Sequence, residues 1–195
     1  RQSDWSSDVC SSDLNQYERK CKVSSASGRG TDLQRDAFNH HGGKSMEVRF
    51  KLNGKQVSAE VSGDTILLDV LRNLGCYSVK CGCETTNCGL CTVWINGKSR
   101  LSCSILAAGI EGQEVTTLEG LKEEAEEFGA FLAQEGAEQC GFCSPGFIMN
   151  VLAMVRELEN PTIEEMKEYL SGNLCRCTGY MGQLRAIRKR SEERR

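Results

Sequence analysis

The sequence predicts an α+β chain, with a sheet-bearing first half built on two tight hairpins and an all-helical second half. Three observations carry this reading. Alternating apolar and polar residues flank two Asn-Gly pairs, Asn53-Gly54 and Asn96-Gly97, the strongest short hairpin signal. After Thr117 the alternation gives way to apolar residues three and four positions apart, the helical spacing. Eight cysteines fall into two sets of four, one set in each half.

Met46, Val48, Phe50 and Leu52 alternate with Glu47, Arg49 and Lys51, which is a half-buried strand. Asn53-Gly54 turns the chain, and Val57, Ala59 and Val61 continue the pattern. Ser62-Gly63-Asp64 is expected to open a helix with Ile66, Leu67, Val70, Leu71 and Leu74 on its apolar face, and Gly75 to close it. A cysteine loop follows at 81–91. Val93 and Ile95 lead into the second hairpin, which returns through Leu101 to Cys103, and a short strand lies around Val115.

The helical half begins with Thr116 and Glu119, which have capping-box spacing, and its first helix is expected to run to about Gln134. Leu121, Ala125, Phe128 and Leu132 share one face of it. Ser144-Pro145 reads as an N-cap with proline at the first helical position, ahead of Phe147, Ile148, Val151, Leu152 and Val155. Asn160-Pro161 stops that helix, and Thr162 with Glu165 caps the next, whose stripe is Ile163, Met166, Tyr169 and Leu170. A basic helix starts near Tyr180. Four helices predict a bundle with the second cysteine set between them. Asp69 and Asn173 are expected to be caps or surface groups.

Residues 1–45 differ from the rest. They are rich in Ser, Asp and Gly and show no sustained periodicity, and the first methionine is Met46. The native start is therefore expected at Met46, with the head either carry-over resembling a translated adapter or a disordered extension. Both histidines, His40 and His41, lie in this head, as do Cys10 and Cys21. From Met46 onward there is no histidine, which excludes Rieske-type ligation and histidine-based acid–base or zinc chemistry there. The formal net charge of -3 leaves no footprint for nucleic acid. No apolar run approaches the roughly 20 residues of a membrane helix. With no secretory signal, twelve cysteines point to a reducing cytoplasm and metal ligation rather than disulfides.

Cys83, Cys88, Cys91 and Cys103 read C-x4-C-x2-C followed, after eleven residues, by C. That is the plant-type ferredoxin spacing, in which four thiolates hold a 2Fe-2S cluster. Gly82 and Gly89 flank ligands and let backbone N–H groups approach sulfur. The fourth ligand, Cys103, is expected on the return strand. Cys140, Cys143, Cys175 and Cys177 read C-x2-C, a long gap, then C-x-C. On spacing alone this set could also close around zinc. A helix N-terminus directly after Cys143 favours thiolates and an anionic cluster there. Cys76 and Cys81 fall outside both sets and are read as packing or reducible thiols, with Cys81 able to replace a ligand if the loop slips. Two four-thiolate sites in one chain make an electron conduit.

The stretches KCGCETTNCGLCTVWING at 80–97, QCGFCSPGFIM at 139–149 and LSGNLCRCTGY at 170–180 resemble the small iron–sulfur subunit of the xanthine oxidase, or molybdenum hydroxylase, family. The resemblance spans about residues 46–190. It implies a β-grasp, plant-ferredoxin-like domain at 46–118 and an all-α four-helix-bundle domain at 119–190, each holding one 2Fe-2S cluster. It further implies a large partner subunit with molybdopterin beside the second set and an FAD-binding partner facing the first. Gln139 matches a family glutamine that approaches the pterin, and Cys177 matches the ligand nearest it. Electrons would pass from molybdenum through the second set, then the first, to flavin. No catalytic residue is expected in this chain itself, and no nucleic-acid or membrane partner.

Two residues depart from the family pattern. Relatives usually carry glycine where this chain has Glu84 and Thr86. A β-branched Thr86 at positive φ is strained, so the loop is expected to take another shape. Glu84 beside an anionic cluster is expected to favour the oxidised state. Two rival readings differ in class: a free-standing two-cluster carrier, and a zinc-stabilised interaction module without redox function.

Overall fold

The computed structural model describes residues 45–193; the head, apart from Ser45, lies outside the described residues, together with its two cysteines and both histidines. Five strands form one sheet: β1 (Met46–Leu52), β2 (Lys55–Val61), β3 (Thr92–Ile95), β4 (Lys98–Leu101) and β5 (Glu114–Thr116), in the order β2-β1-β5-β3-β4. β5 sits in the middle, parallel to β1 and antiparallel to β3. Both hairpins close on left-handed Asn-Gly pairs, with φ of 48° and 82° at Asn53 and Gly54 and 50° and 79° at Asn96 and Gly97. These are the positive angles that a turn matching strand twist requires.

Val48, Phe50 and Leu52 bury one face of β1, and helix α1 (Leu67–Asn73) covers it with Leu67, Leu68, Val70 and Leu71. This helix starts later than the Ser-Gly-Asp signal suggests. Ser62 and Thr65 form a turn of their own, the Ser62 amide donating to Thr65 Oγ1 at 3.0 Å. Ile66 bridges Leu106, and Leu67 N–H donates to Ile105 O at 2.8 Å, so the chain stays extended until Leu67.

The other helices are α2 (Lys122–Gln134), α3 (Ser144–Glu157), α4 (Ile163–Tyr169) and α5 (Met181–Glu193). They share a second core around Phe128, Leu132, Phe147, Val151, Leu152, Met154 and Ile187. The Thr162–Glu165 capping box is present. Three other expectations are corrected. Cys143, not Ser144, occupies the N-cap of α3, and no side chain caps it. Val155 and Ile163 are exposed rather than in the core. The Thr116–Glu119 box does not form, because Glu119 is taken by tertiary partners: its carboxylate accepts from Ser78 N–H at 2.9 Å, Ser78 Oγ at 2.6 Å and Thr117 Oγ1 at 2.6 Å.

Those bonds tie the approach to the cysteine loop to the start of the helical half. Burial pushes the Glu119 carboxyl up, but the bonds from Ser78 and Thr117 outweigh it and hold it below the usual carboxylate range. A depressed folded-state value stabilises above the unfolded-state value and is lost as pH falls through the folded one. Glu119→Gln should therefore lower stability by about 1 kcal/mol at neutral pH, after allowance for solvent screening. The gap from wild type should close on acidification, which urea titrations at several pH values would measure.

Trp94 joins the two halves. β3 is buried on both faces, Val93 toward α1 and Trp94 toward the helices. The indole is 2% exposed, its N–H donates to Met149 O at 3.0 Å, and the Arg156 guanidinium stands 4.2 Å from its ring centroid. Helix α3 thus covers the second face of the sheet along β3 and β4.

Candidate metal centre

Cys83 and Cys88 lie in the loop between α1 and β3, Cys91 at its end, and Cys103 in a short 3-10 turn, Ser102–Ser104, directly after β4. Cys103 therefore comes from just beyond the return strand rather than from within it. The loop draws the four thiols together as two pairs: Cys83 with Cys88, and Cys91 with Cys103, each within hydrogen-bonding reach. Backbone N–H groups of Thr85 and Asn87 point at the Cys83 sulfur, the latter at 3.3 Å, and pull its thiol down to about 6. Burial and then Cys91 push Cys103 up to about 12.

The second set also forms as pairs. Cys140 and Cys177 approach to 3.5 Å between sulfurs, and Cys143 lies beside Cys175. Thr178 Oγ1 donates to Cys175 Sγ at 3.2 Å. Burial and the Cys175 neighbour push Cys143 up to about 12. Cys140 and Cys177 are exposed, whereas Cys91 is 3% exposed. Gln139 is exposed next to Cys140.

Both sets suit a two-iron core. Among the described residues no three His, Cys, Asp or Glu side chains converge on the single point that one metal ion needs. Paired sulfurs instead offer each of two irons a pair of ligands. Burial, and then the neighbouring thiol, opposes ionisation of Cys103 and of Cys143, which a cationic core would relieve. Cys76 is buried and bonded to Thr117, and Cys81 lies 3.9 Å from a Glu84 carboxylate oxygen, so neither joins a pair.

Glu84 and Thr86 have φ of 52° and 60°. Both residues occupy the left-handed region, so the β-branched Thr86 is held at a strained angle. Thr86→Gly should then raise stability by about 1 kcal/mol by removing a β-branched residue from that region. A matching rise in denaturation midpoint of the iron-loaded protein would check it.

Asn173, expected as a cap or surface group, is 6% exposed and central. Its Oδ1 accepts from Asn150 Nδ2 at 2.6 Å, and its Nδ2 donates to Gly146 O at 3.4 Å and Gly89 O at 3.5 Å. Asn150 Oδ1 in turn accepts from Ser99 Oγ at 2.7 Å. The neighbouring Leu174 N–H donates to Cys88 O at 3.0 Å. One polar seam therefore links the two cysteine loops. Its only sequence signal is a polar residue two positions before Cys175.

Residues 50–116 match the 2Fe-2S iron-sulfur cluster binding domain family, and residues 117–188 match the [2Fe-2S] binding domain family. The chain is 40% identical to a nicotinate dehydrogenase subunit of Pseudomonas putida over 152 residues, covering 76% of this chain and 96% of that one. It is 42% identical to the xanthine dehydrogenase iron-sulfur-binding subunit of Escherichia coli, covering 73% and 91%. Among solved structures, quinoline 2-oxidoreductase from Pseudomonas putida superimposes with a TM-score of 0.68 at 36% identity, over 73% of this chain and 90% of that one.

Proposed function

The chain belongs to the iron–sulfur subunits of the molybdenum hydroxylase family, and from that premise we propose that it carries electrons from a molybdopterin-holding subunit towards an FAD-holding one. The observation that carries this reading is the folding of two cysteine quartets into paired sulfurs, at two loops of one compact unit. Each 2Fe-2S group, when bound, supplies a one-electron site. The residues of this chain hold and tune it. Cys83, Cys88, Cys91 and Cys103 ligate one group, and Cys140, Cys143, Cys175 and Cys177 the other.

The inequality of the two sets supports a direction. Exposed Cys140 and Cys177 are accompanied by exposed Phe142, Leu174, Tyr180 and Met181, a surface suited to an obligate partner rather than to a free carrier. We place the molybdopterin-holding partner there, with Gln139 toward the pterin, and the FAD-holding partner toward the first set. The partner's reaction would be hydroxylation of a purine, an aldehyde or an N-heterocycle. Within this chain we assign a β-grasp domain to 46–118 and a four-helix bundle to 119–190. Among the described residues no helix is long and apolar enough to cross a membrane, and a cytoplasmic site of action is part of the proposal.

The test is metal analysis of the protein purified in its complex. About four irons and four acid-labile sulfides per chain, with visible absorbance bleached by dithionite, are expected. Colourless protein with stoichiometric zinc would overturn the reading.

A further inference from the structure

We propose that Lys80, contributed by the sheet half, is the fixed positive charge of the second cysteine set and raises the reduction potential of the group that set holds. The inference rests on the functional reading above and adds a tuning residue to it.

The Lys80 backbone is anchored beside the first cysteine loop, its N–H donating to Leu90 O at 3.3 Å. Its side chain leaves that loop and crosses to the other half. Nζ donates to Phe142 O at 3.2 Å and stands 4.6 Å from the Phe142 ring centroid. Phe142 immediately precedes Cys143, so the ammonium is held at the second set by a carbonyl and an aromatic face. Burial pushes the Lys80 ammonium below its ordinary range, Cys140 and Cys143 of the second set push it back up, and Arg72 opposes them. Among the described residues no carboxylate forms an ion pair with it. A half-buried ammonium ordinarily recruits one. Here the negative charge nearby is that of the thiolates. Arg176, between Cys175 and Cys177, is exposed and screened by solvent, which leaves Lys80 as the sheltered cation.

One-electron reduction adds one negative charge to a four-thiolate site and forms or breaks no bond. A cation held there stabilises the reduced form more than the oxidised one. Because it comes from the other half of the chain, the second site is electrostatically complete only when both halves are docked.

The experiment is a potentiometric titration of the assembled complex, poised with dithionite and ferricyanide and read by electron paramagnetic resonance. The second-set signal is assigned by its change in Cys177→Ser. In Lys80→Met the equilibrium constant for reduction of the second set should fall about tenfold, about 59 mV for one electron, while the first set stays put. Lys80→Arg should keep the wild-type value. Lys80→Gln, which keeps a donor for the Phe142 carbonyl but no charge, should behave like Lys80→Met and serves if the methionine variant loads poorly. An unmoved second set at full iron content, equal movement of both sets, or an arginine variant behaving like methionine would each overturn the proposal. Missing iron in the wild-type chain would instead overturn the functional reading, and metal analysis reports that separately.

Discussion

Replacing Gly146 with alanine is expected to destabilise the protein by about 3 kcal/mol or more and to impair both iron sites at once. Gly146 lies in the first turn of α3, buried against the first cysteine loop. A Cβ there would overlap the Gly89 carbonyl oxygen and reach 3.0 Å from Leu90 Cα and 3.1 Å from Leu90 O. All three are backbone atoms, so no rotamer change relieves the clash. Moving α3 away would drag Cys143 from Cys175 and lift Met149 O off the Trp94 indole. Moving the loop would displace Gly89, which sits between Cys88 and Cys91. That residue cannot yield either: its φ is 72°, and a Cβ on it would come within 2.5 Å of Asn173 Nδ2 and 2.6 Å of Gly172 O. Gly129→Ala is the control, since nothing lies within 4 Å of its Cβ position in α2. It should stabilise by about 0.5–1 kcal/mol through helix propensity alone. Denaturant midpoints and iron content of the two variants test this, and a Gly146→Ala protein as stable as wild type would refute such close packing.

Much of this fold is legible from sequence because its signals are local. Asn53-Gly54 and Asn96-Gly97 specify their turns whatever lies around them. The close spacing of Cys83 and Cys88 pairs their thiols because a loop that short has few ways to fold back, whereas Cys140 meets Cys177 only through the packing of the helical half. The positions that sequence misreads answer to distant partners. Glu119 has the spacing of a cap for α2 and is instead held by Ser78, 41 residues away in sequence. Asn173 reads as a surface group, yet it bonds to Gly89 across 84 residues. β3 reads as an alternating strand, and alternation cannot say what covers its second face; here the helical half does, around Trp94. Glu84 and Thr86 do set residue type against backbone, as the sequence implies, and both are held at positive φ.

That contrast between local and distant determinants leads to the other large effect, the unequal consequence of deleting one ligand from each set. Cys91→Ala and Cys140→Ala should each reduce iron from about four to about two per chain and interrupt electron passage through the assembled complex. Their effects on stability should differ. Cys91 is 3% exposed within the sheet core, and the loop it closes presents Gly89 and Leu90 to α3 and the Cys88 carbonyl to Leu174. Loss of the group that clamps this loop removes binding free energy that is also folding free energy, and it slackens the seam between the halves. Cys140 lies exposed at the edge of the helical half, and its partner Cys177 is exposed as well. The Cys175 loop keeps its own tether, the Cys175 N–H donating to Tyr180 Oη at 2.9 Å, and the Thr162 capping box and the core around Phe128 do not involve it. Cys91→Ala should therefore show a markedly lower denaturation midpoint and new proteolysis within 81–91. Cys140→Ala should lose its iron with a small change in midpoint. Equal midpoints for the two would mean that the first site is as peripheral to the fold as the second, contrary to the burial of Cys91 and the packing of Gly89 against α3.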